Sequence, residues 1–472
     1  MKRFFLSGGL ERHEIERMHA TALQLLERTG VMVPHPEVLK LLDGGEGLRI
    51  DGERVRIRAD VASKAFSDVV TMMRRRDSAG GKIAKLQCSV GGLSLHFADL
   101  DDDHVRDPLT SDLVSMVKLA DSYGLSGVNP VTPVDLAPAI KELTIHKICL
   151  ENARDVGCGI MNSPDQVEYI HEMNEVVGRT TSFSLWTISP MILGTDSLRM
   201  LYQLRNKKNV RVRITNMPML GATASINLGE AFCQSIAELL GALTVASHVI
   251  ELEKLDFYIH TLLYPFDLRS GNCIYGSPES NLMDLFSMQI SDFYGLPRRS
   301  VRGYKSMGKG HDIESAAERA FGVLTAALNG WSDFFAAGRT CNDQVFSAIQ
   351  LVVDMEILRY VQRFMDGFDL GDFSNIESLT AKVEEARSGS RLFLEQDDLL
   401  MRDPSRYFWF PELFDYERLE SWEARGAITV VGRARQMVRD RIRCHDFTRR
   451  PEELREMNRI FRRASARLTS VA

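Results

Sequence analysis

The side chains best equipped for binding chemistry stand near the ends of short β-rich runs, and they are aromatic, cationic or amide-bearing rather than nucleophilic. Trp186, Tyr264 and Tyr304, with His260 nearby, offer rings. A desolvated aromatic face stabilises an organic cation by about 0.5–2 kcal/mol. Asn216, Arg302 and Arg339 offer the amide and guanidinium donors that hold carboxylates. Asp135, in TPVDLAP, supplies a negative charge but serves equally well as a turn or cap residue.

Other chemistries lack their residues. The seven cysteines, at positions 88, 149, 158, 233, 273, 341 and 444, form no CxxC pair and read as reduced thiols rather than a disulfide framework or zinc cluster. Cys158 and Cys273 fall near strand ends, yet neither has a sequence-local partner that would lower its pKa. No HxH or paired-acid signature marks a metal site, so none is expected. Neither GxGxxG nor GxxxxGK[ST] follows a β-rich run, which argues against a nicotinamide or ATP enzyme.

Several polar residues have a structural explanation that competes with a functional one. Glu279 follows Pro278 at the start of an apolar helix, where an acid stabilises the helix dipole. Asp312 suits a helix N-cap, ahead of Glu318 in the segment HDIESAAE. His35, in HPEV, reads as a step between helices.

The elements that must position these side chains follow from periodicity. Residues 10–29 carry apolar positions at helical spacing and stop at Gly30, a second helix covers Pro36 to Leu42, and Asp51-Gly52 turns a hairpin in RIDGERVRI. From about residue 110, helical segments alternate with β-rich runs: Gly127–Val131, Val156–Met161, Ser182–Thr187, Val210–Asn216, Phe257–Leu263, Ser300–Gly303 and Asp333–Ala337. Seven such runs suit a parallel barrel better than a small open sheet, with an eighth expected after Phe368.

The fold expected is therefore α/β: an N-terminal helical and hairpin segment (1–109), a (β/α)8 TIM-type barrel (110–380), and a C-terminal segment with a helical tail packed on the barrel (381–472). In such a barrel, binding residues sit at the C-terminal ends of the strands. A net charge of −6 gives no sign of a nucleic-acid surface. The most apolar stretch, Leu228 to Ile250, is interrupted by Glu230, Glu238 and His248 and reads as a buried helix rather than a membrane span. A cytoplasmic protein with no membrane partner, and with homo-oligomerisation open, is expected.

Several segments, in order along the chain, resemble the trimethylamine methyltransferase family. They are LLERTGVMVPHPEVLKLLDGGEGLRIDGERVRI, GGLSLHF, the Arg106, Thr110, Asp112-Leu113 spacing, TPVDLAP, PMLGATASINL, YGSPESNLMDL, YGLPRRSVRG, HDIESAAE and FSAIQLVVDMEI. The resemblance implies a barrel that moves a methyl group from a methylated amine to the Co(I) corrinoid of a separate protein, with no cofactor tightly bound to this chain. Some members carry pyrrolysine; this sequence has only standard residues and is closer to the glycine betaine methyltransferase branch, whose substrates are quaternary amines. The rings of Trp186, Tyr264 and Tyr304 would then face the ammonium, with Asp135 and His260 beside it. Asn216, Arg302 and Arg339 would take a substrate carboxylate. The family's His-Phe-Leu and His-Thr steps are missing from LFLEQDDLL at 392–400. A catalytically silent ligand-binding or scaffold relative is the alternative.

Overall fold

In the computed structural model, residues 9–76, 85–126, 129–157, 162–259, 262–296, 303–367, 374–395 and 408–470 are described. Two parallel strands, Thr181–Ile188 and Val210–Asn216, form the centre of the larger sheet, with Trp186 opposite Thr215 and Ser184 opposite Arg213. Leu255–Phe257 adds in parallel beside Val212–Ile214. In each long strand one side chain in two is fully buried: Phe183 and Leu185 in the first, Val212 and Ile214 in the second. Each such burial contributes about 1.5–3 kcal/mol. The alternate positions, Ser184, Trp186, Arg213 and Thr215, are only half-buried, and they line an internal cavity. The period-2 alternation thus divides the strands between an apolar face packed in the core and a face that lines the cavity.

A second parallel run forms elsewhere. Asp333–Phe335 pairs with Gln87–Ser89, and Ser89 in turn bridges in parallel to Ser126. The segment assigned above to the N-terminal part therefore contributes a parallel partner to the last β-rich run. Of the region after Phe368, where an eighth strand was expected, residues 368–373 lie outside the described residues and Ile376–Ser388 is a helix. The architecture is mixed α/β, with parallel strands alternating with helices.

The hairpin forms as expected, Leu48–Asp51 against Arg54–Ile57, and joins the larger sheet through Val31–Met32, which pairs with Ile192. The helix Arg12–Arg28 packs on Leu228–Ser247. That second helix is long and apolar enough to cross a membrane by length and composition, but here most of it is buried as a core helix. Gly241 explains the close packing, since a Cβ there would stand 2.6 Å from Val31 and 2.9 Å from Leu26. In the C-terminal part, Val430–Arg443 buries Ala434 and Val438, and Pro451–Leu468 buries Met457, Ile460 and Ala464. Both helices are docked on the body, the first against Ala348–Asp366 and the second against Val167–Val176.

Candidate functional site

A cavity of about 960 Å³ runs from residues at the C-terminal ends of the parallel strands to residues before their N-terminal ends. At the first end stand Gly91, Gly92, Trp186, Asn216, Met217, Tyr264 and Arg339. Ser184, Arg213, Tyr258 and Asp333 line its middle. At the other end Glu412 pairs with Arg359 at 2.7 Å and approaches Arg441 at 3.7 Å. The Arg441 guanidinium there lies over the Tyr123 ring at 3.7 Å.

Of the eight residues picked from the sequence, the structure brings four to this cavity: Trp186, Asn216, Tyr264 and Arg339. Trp186 is fixed through its backbone, whose N–H donates to Ser197 Oγ at 3.3 Å and whose carbonyl accepts from Gly194 N at 2.8 Å. Tyr264 meets Tyr275 in a tilted contact, ring centres 5.4 Å apart, and has the Lys305 ammonium 5.5 Å from its ring centre. Lys305 is itself buried against Asp284 at 2.6 Å. Met217, Met219 and Met307 complete this aromatic and thioether cluster. Buried Cys273 packs within it.

Arg339 is 7% exposed and pairs with Asp343 at 3.2 Å. Its guanidinium lies against Gly92, where a Cβ would fall 2.8 Å from Cζ. Gly92 has φ +117°, so the GGLSLHF turn needs glycine both for its backbone and for the room it leaves Arg339.

Asn216 has a largely structural role: its Nδ2 donates to Glu238 Oε2 at 2.9 Å and to Ser235 Oγ at 3.0 Å. Glu238, fully buried, also accepts from Ser189 Oγ at 2.8 Å, Met191 N at 3.1 Å and Gln234 Nε2 at 3.0 Å. Burial pushes its carboxyl above the ordinary range, against the pull of these donors. The acid that interrupts the apolar helix thereby ties down the loop after the first long strand and the end of the second.

Two of the picked residues stand away from the cavity, Asp135 in the cap role that was its alternative reading. Tyr304 does not line the cavity: it is fully buried, edge-on to Phe334 at 6.3 Å, and its hydroxyl donates to the Asp354 carbonyl at 3.0 Å. Asp135 is exposed and accepts from Thr110 N at 3.0 Å and Thr110 Oγ1 at 2.9 Å. It satisfies an otherwise orphaned N–H at the start of Thr110–Ser122, away from the cavity. His260, Arg302 and Cys158 lie outside the described residues.

The polar residues given structural explanations behave that way. Asp312 caps its helix through Ser315 N at 2.8 Å, and His35 accepts from Val38 N at 3.3 Å. Glu279 sits in the first turn of Pro278–Phe293. Glu318 accepts from Met307 N at 2.8 Å, and burial raises its pKa. A Cβ on Gly276 would lie 2.2 Å from that carboxylate, which is how the YGSPESN and HDIESAAE segments meet.

Arg213, Tyr258, Asp333 and Phe335 line the cavity and were missed by reasoning from strand ends alone. The alternation Val-Arg-Val-Arg-Ile-Thr, at 210–215, carried the signal. Among the described residues, no group of three or more His, Cys, Asp or Glu converges as a metal site.

The profile of the trimethylamine methyltransferase (MTTB) family matches residues 6–462. The trimethylamine methyltransferase MttB of Methanosarcina barkeri is 27% identical over 269 residues, 57% of this chain and 52% of that protein, so the chain spans about half the length of that relative. The glycine betaine methyltransferase of Desulfitobacterium hafniense is 22% identical over 435 residues, 88% of each chain. The crystal structure of the hydroxylamine MtmB complex superposes with a TM-score of 0.43 and 13% identity, covering 92% of this chain and 94% of that one. With the family profile matched over nearly its whole length, the chain belongs to the trimethylamine methyltransferase family.

Proposed function

We propose that this protein is a methyltransferase that passes a methyl group from a quaternary or otherwise N-methylated amine to the Co(I) corrinoid of a partner protein. The observation that carries the reading is the family match from residue 6 to 462 in a chain with a large, partly aromatic cavity at its strand ends. The same reading takes the two parallel runs as parts of one closed (β/α)8 barrel and places the protein in the cytoplasm.

The partner's corrinoid supplies the nucleophile. This chain binds the amine, orients one N–methyl bond toward the cavity mouth and excludes competing water. As the C–N bond breaks, its electron pair stays on nitrogen, so a quaternary ammonium leaves as a neutral tertiary amine without needing a proton. Trp186 stabilises the cation, and Tyr258 and Phe335 extend the aromatic lining. Arg339 and Arg213 supply positive charge for a substrate carboxylate.

Incubation with the reduced corrinoid protein and glycine betaine, carnitine, choline or trimethylamine tests this, with the demethylated amine followed by NMR. Loss of one methyl from a quaternary amine, only when the corrinoid protein is present, is expected. No demethylation of any of them would favour a catalytically silent relative.

A further inference from the structure

We infer that the buried pair Arg319 and Asp354 is a positioning device that fixes Arg339 at the cavity. Both residues are fully buried, with Arg319 Nη1 2.7 Å from Asp354 Oδ2. That same oxygen accepts from Gly338 N at 2.7 Å, while Asp354 Oδ1 accepts from Gln350 Nε2 at 2.8 Å. Nη2 of Arg319 donates to the carbonyl oxygen of Arg339. The peptide N–H just before Arg339 and its own carbonyl are thus both held by one ion pair.

The segment needs such a hold. Ala336 has a φ of +78°, which a residue with a Cβ does not favour by itself, and Gly338 follows at +81°, where glycine is at ease. A buried ion pair rarely adds net stability over an apolar pair of the same size, so its presence here calls for another role. Its contacts lead to Arg339, which combines a full charge with a place in the cavity lining. A supporting shell that fixes the backbone of a binding side chain is how a site is held to within fractions of an ångström. Tyr304, whose hydroxyl binds the Asp354 carbonyl, belongs to this support rather than to the cavity.

The first test reads Arg339 directly and needs no substrate. Phenylglyoxal modification is mapped by peptide mass spectrometry in the parent, Asp354→Asn and Arg319→Lys, with Arg12, whose side chain is 81% exposed, as internal reference. Arg319→Lys keeps a charge beside Asp354 but releases the Arg339 carbonyl, so it decides the matter if Asp354→Asn does not fold. We expect Arg339 to react about ten-fold faster in the folded variants, as its loop is freed. An unchanged rate in folded variants overturns the proposal.

The second test rests on the function proposed above, with Arg339 taking a substrate carboxylate. Asp354→Asn should raise KM for glycine betaine about ten-fold with Arg339 present, and less than about two-fold in an Arg339→Ala background. Equal effects in both backgrounds would mean that the pair is merely structural and would overturn the inference. A protein that turns over no amine, yet shows the faster Arg339 labelling, would contradict the proposed function while leaving the positioning role intact.

Discussion

Asn216 Nδ2 lies 2.9 Å from Oε2 of Glu238, joining the end of a central strand to the only acid buried within the long apolar helix Leu228–Ser247. Asn216→Ala would leave the buried Glu238 one donor short. Removing a hydrogen-bond partner from a buried charged group costs about 1–3 kcal/mol. Urea denaturation should show a loss of that size; a loss within measurement error would mean that the contact is dispensable.

Trp186 and Tyr304 should part company on mutation. Trp186 lines the cavity, so Trp186→Ala should lower kcat/KM by about ten-fold, the equivalent of 1–2 kcal/mol of cation stabilisation. Tyr304→Phe removes the hydrogen bond to the Asp354 carbonyl and should cost about 1 kcal/mol of stability. Its effect on kcat/KM should be the smaller of the two. The opposite ranking would put Tyr304, not Trp186, at the substrate.

Gly92→Ala tests the contact with Arg339. The new methyl would stand 2.8–3.0 Å from the guanidinium, at a φ of +117° that L-residues avoid. Displacing Arg339 should raise KM for a carboxylate-bearing amine by about ten-fold, and for choline much less. Equal changes for both substrates would dissociate Arg339 from carboxylate recognition.

Acid should destabilise the protein through His146. Burial depresses its pKa from 6.5 to about 4, outweighing the contact of its Nε2 with Asn174 Oδ1 at 2.8 Å, which favours the charged ring. Between these two values the unfolded chain binds a proton that the folded protein refuses. Stability is therefore fully present above the unfolded pKa and falls as pH drops toward the folded one, by about 1.4 kcal/mol per pH unit. Burial moves His19 and His171 in the same direction. Denaturation curves across this window should show the slope, and His146→Gln should reduce it. An unchanged slope in that variant would assign the proton uptake elsewhere.

Local signals made much of the scaffold legible. The helix read at 10–29 forms at Arg12–Arg28, and Asp51-Gly52 turns the expected hairpin. Strands long enough to alternate, at 181–188 and 210–216, stood out clearly. Gln87–Ser89 did not stand out as a partner for Asp333–Phe335, because three residues carry too little periodicity and their pairing is remote in sequence. At the site, Trp186 and Arg339 were within reach of strand-end reasoning. For Asp135 the sequence left a cap and a binding role equally open, and Tyr304 was expected at the cavity; contacts with Thr110 and Asp354, distant along the chain, decide where each side chain goes. Arg213 and Tyr258 were overlooked because candidates were sought at strand ends, whereas the cavity is also lined from within the strands.

The most direct measurement of the central claim is the absorbance change of a reduced corrinoid protein mixed with this protein and a quaternary amine. Binding energy placed on the ammonium serves catalysis only if the methyl reaches the acceptor. The account predicts conversion of Co(I) to methylated cobalt with glycine betaine or a related quaternary amine, slowed about ten-fold by Trp186→Ala. No spectral change with any amine, while the corrinoid protein accepts methyl from its own cognate methyltransferase, would contradict it. Conversion with trimethylamine alone would contradict the assignment to quaternary amines.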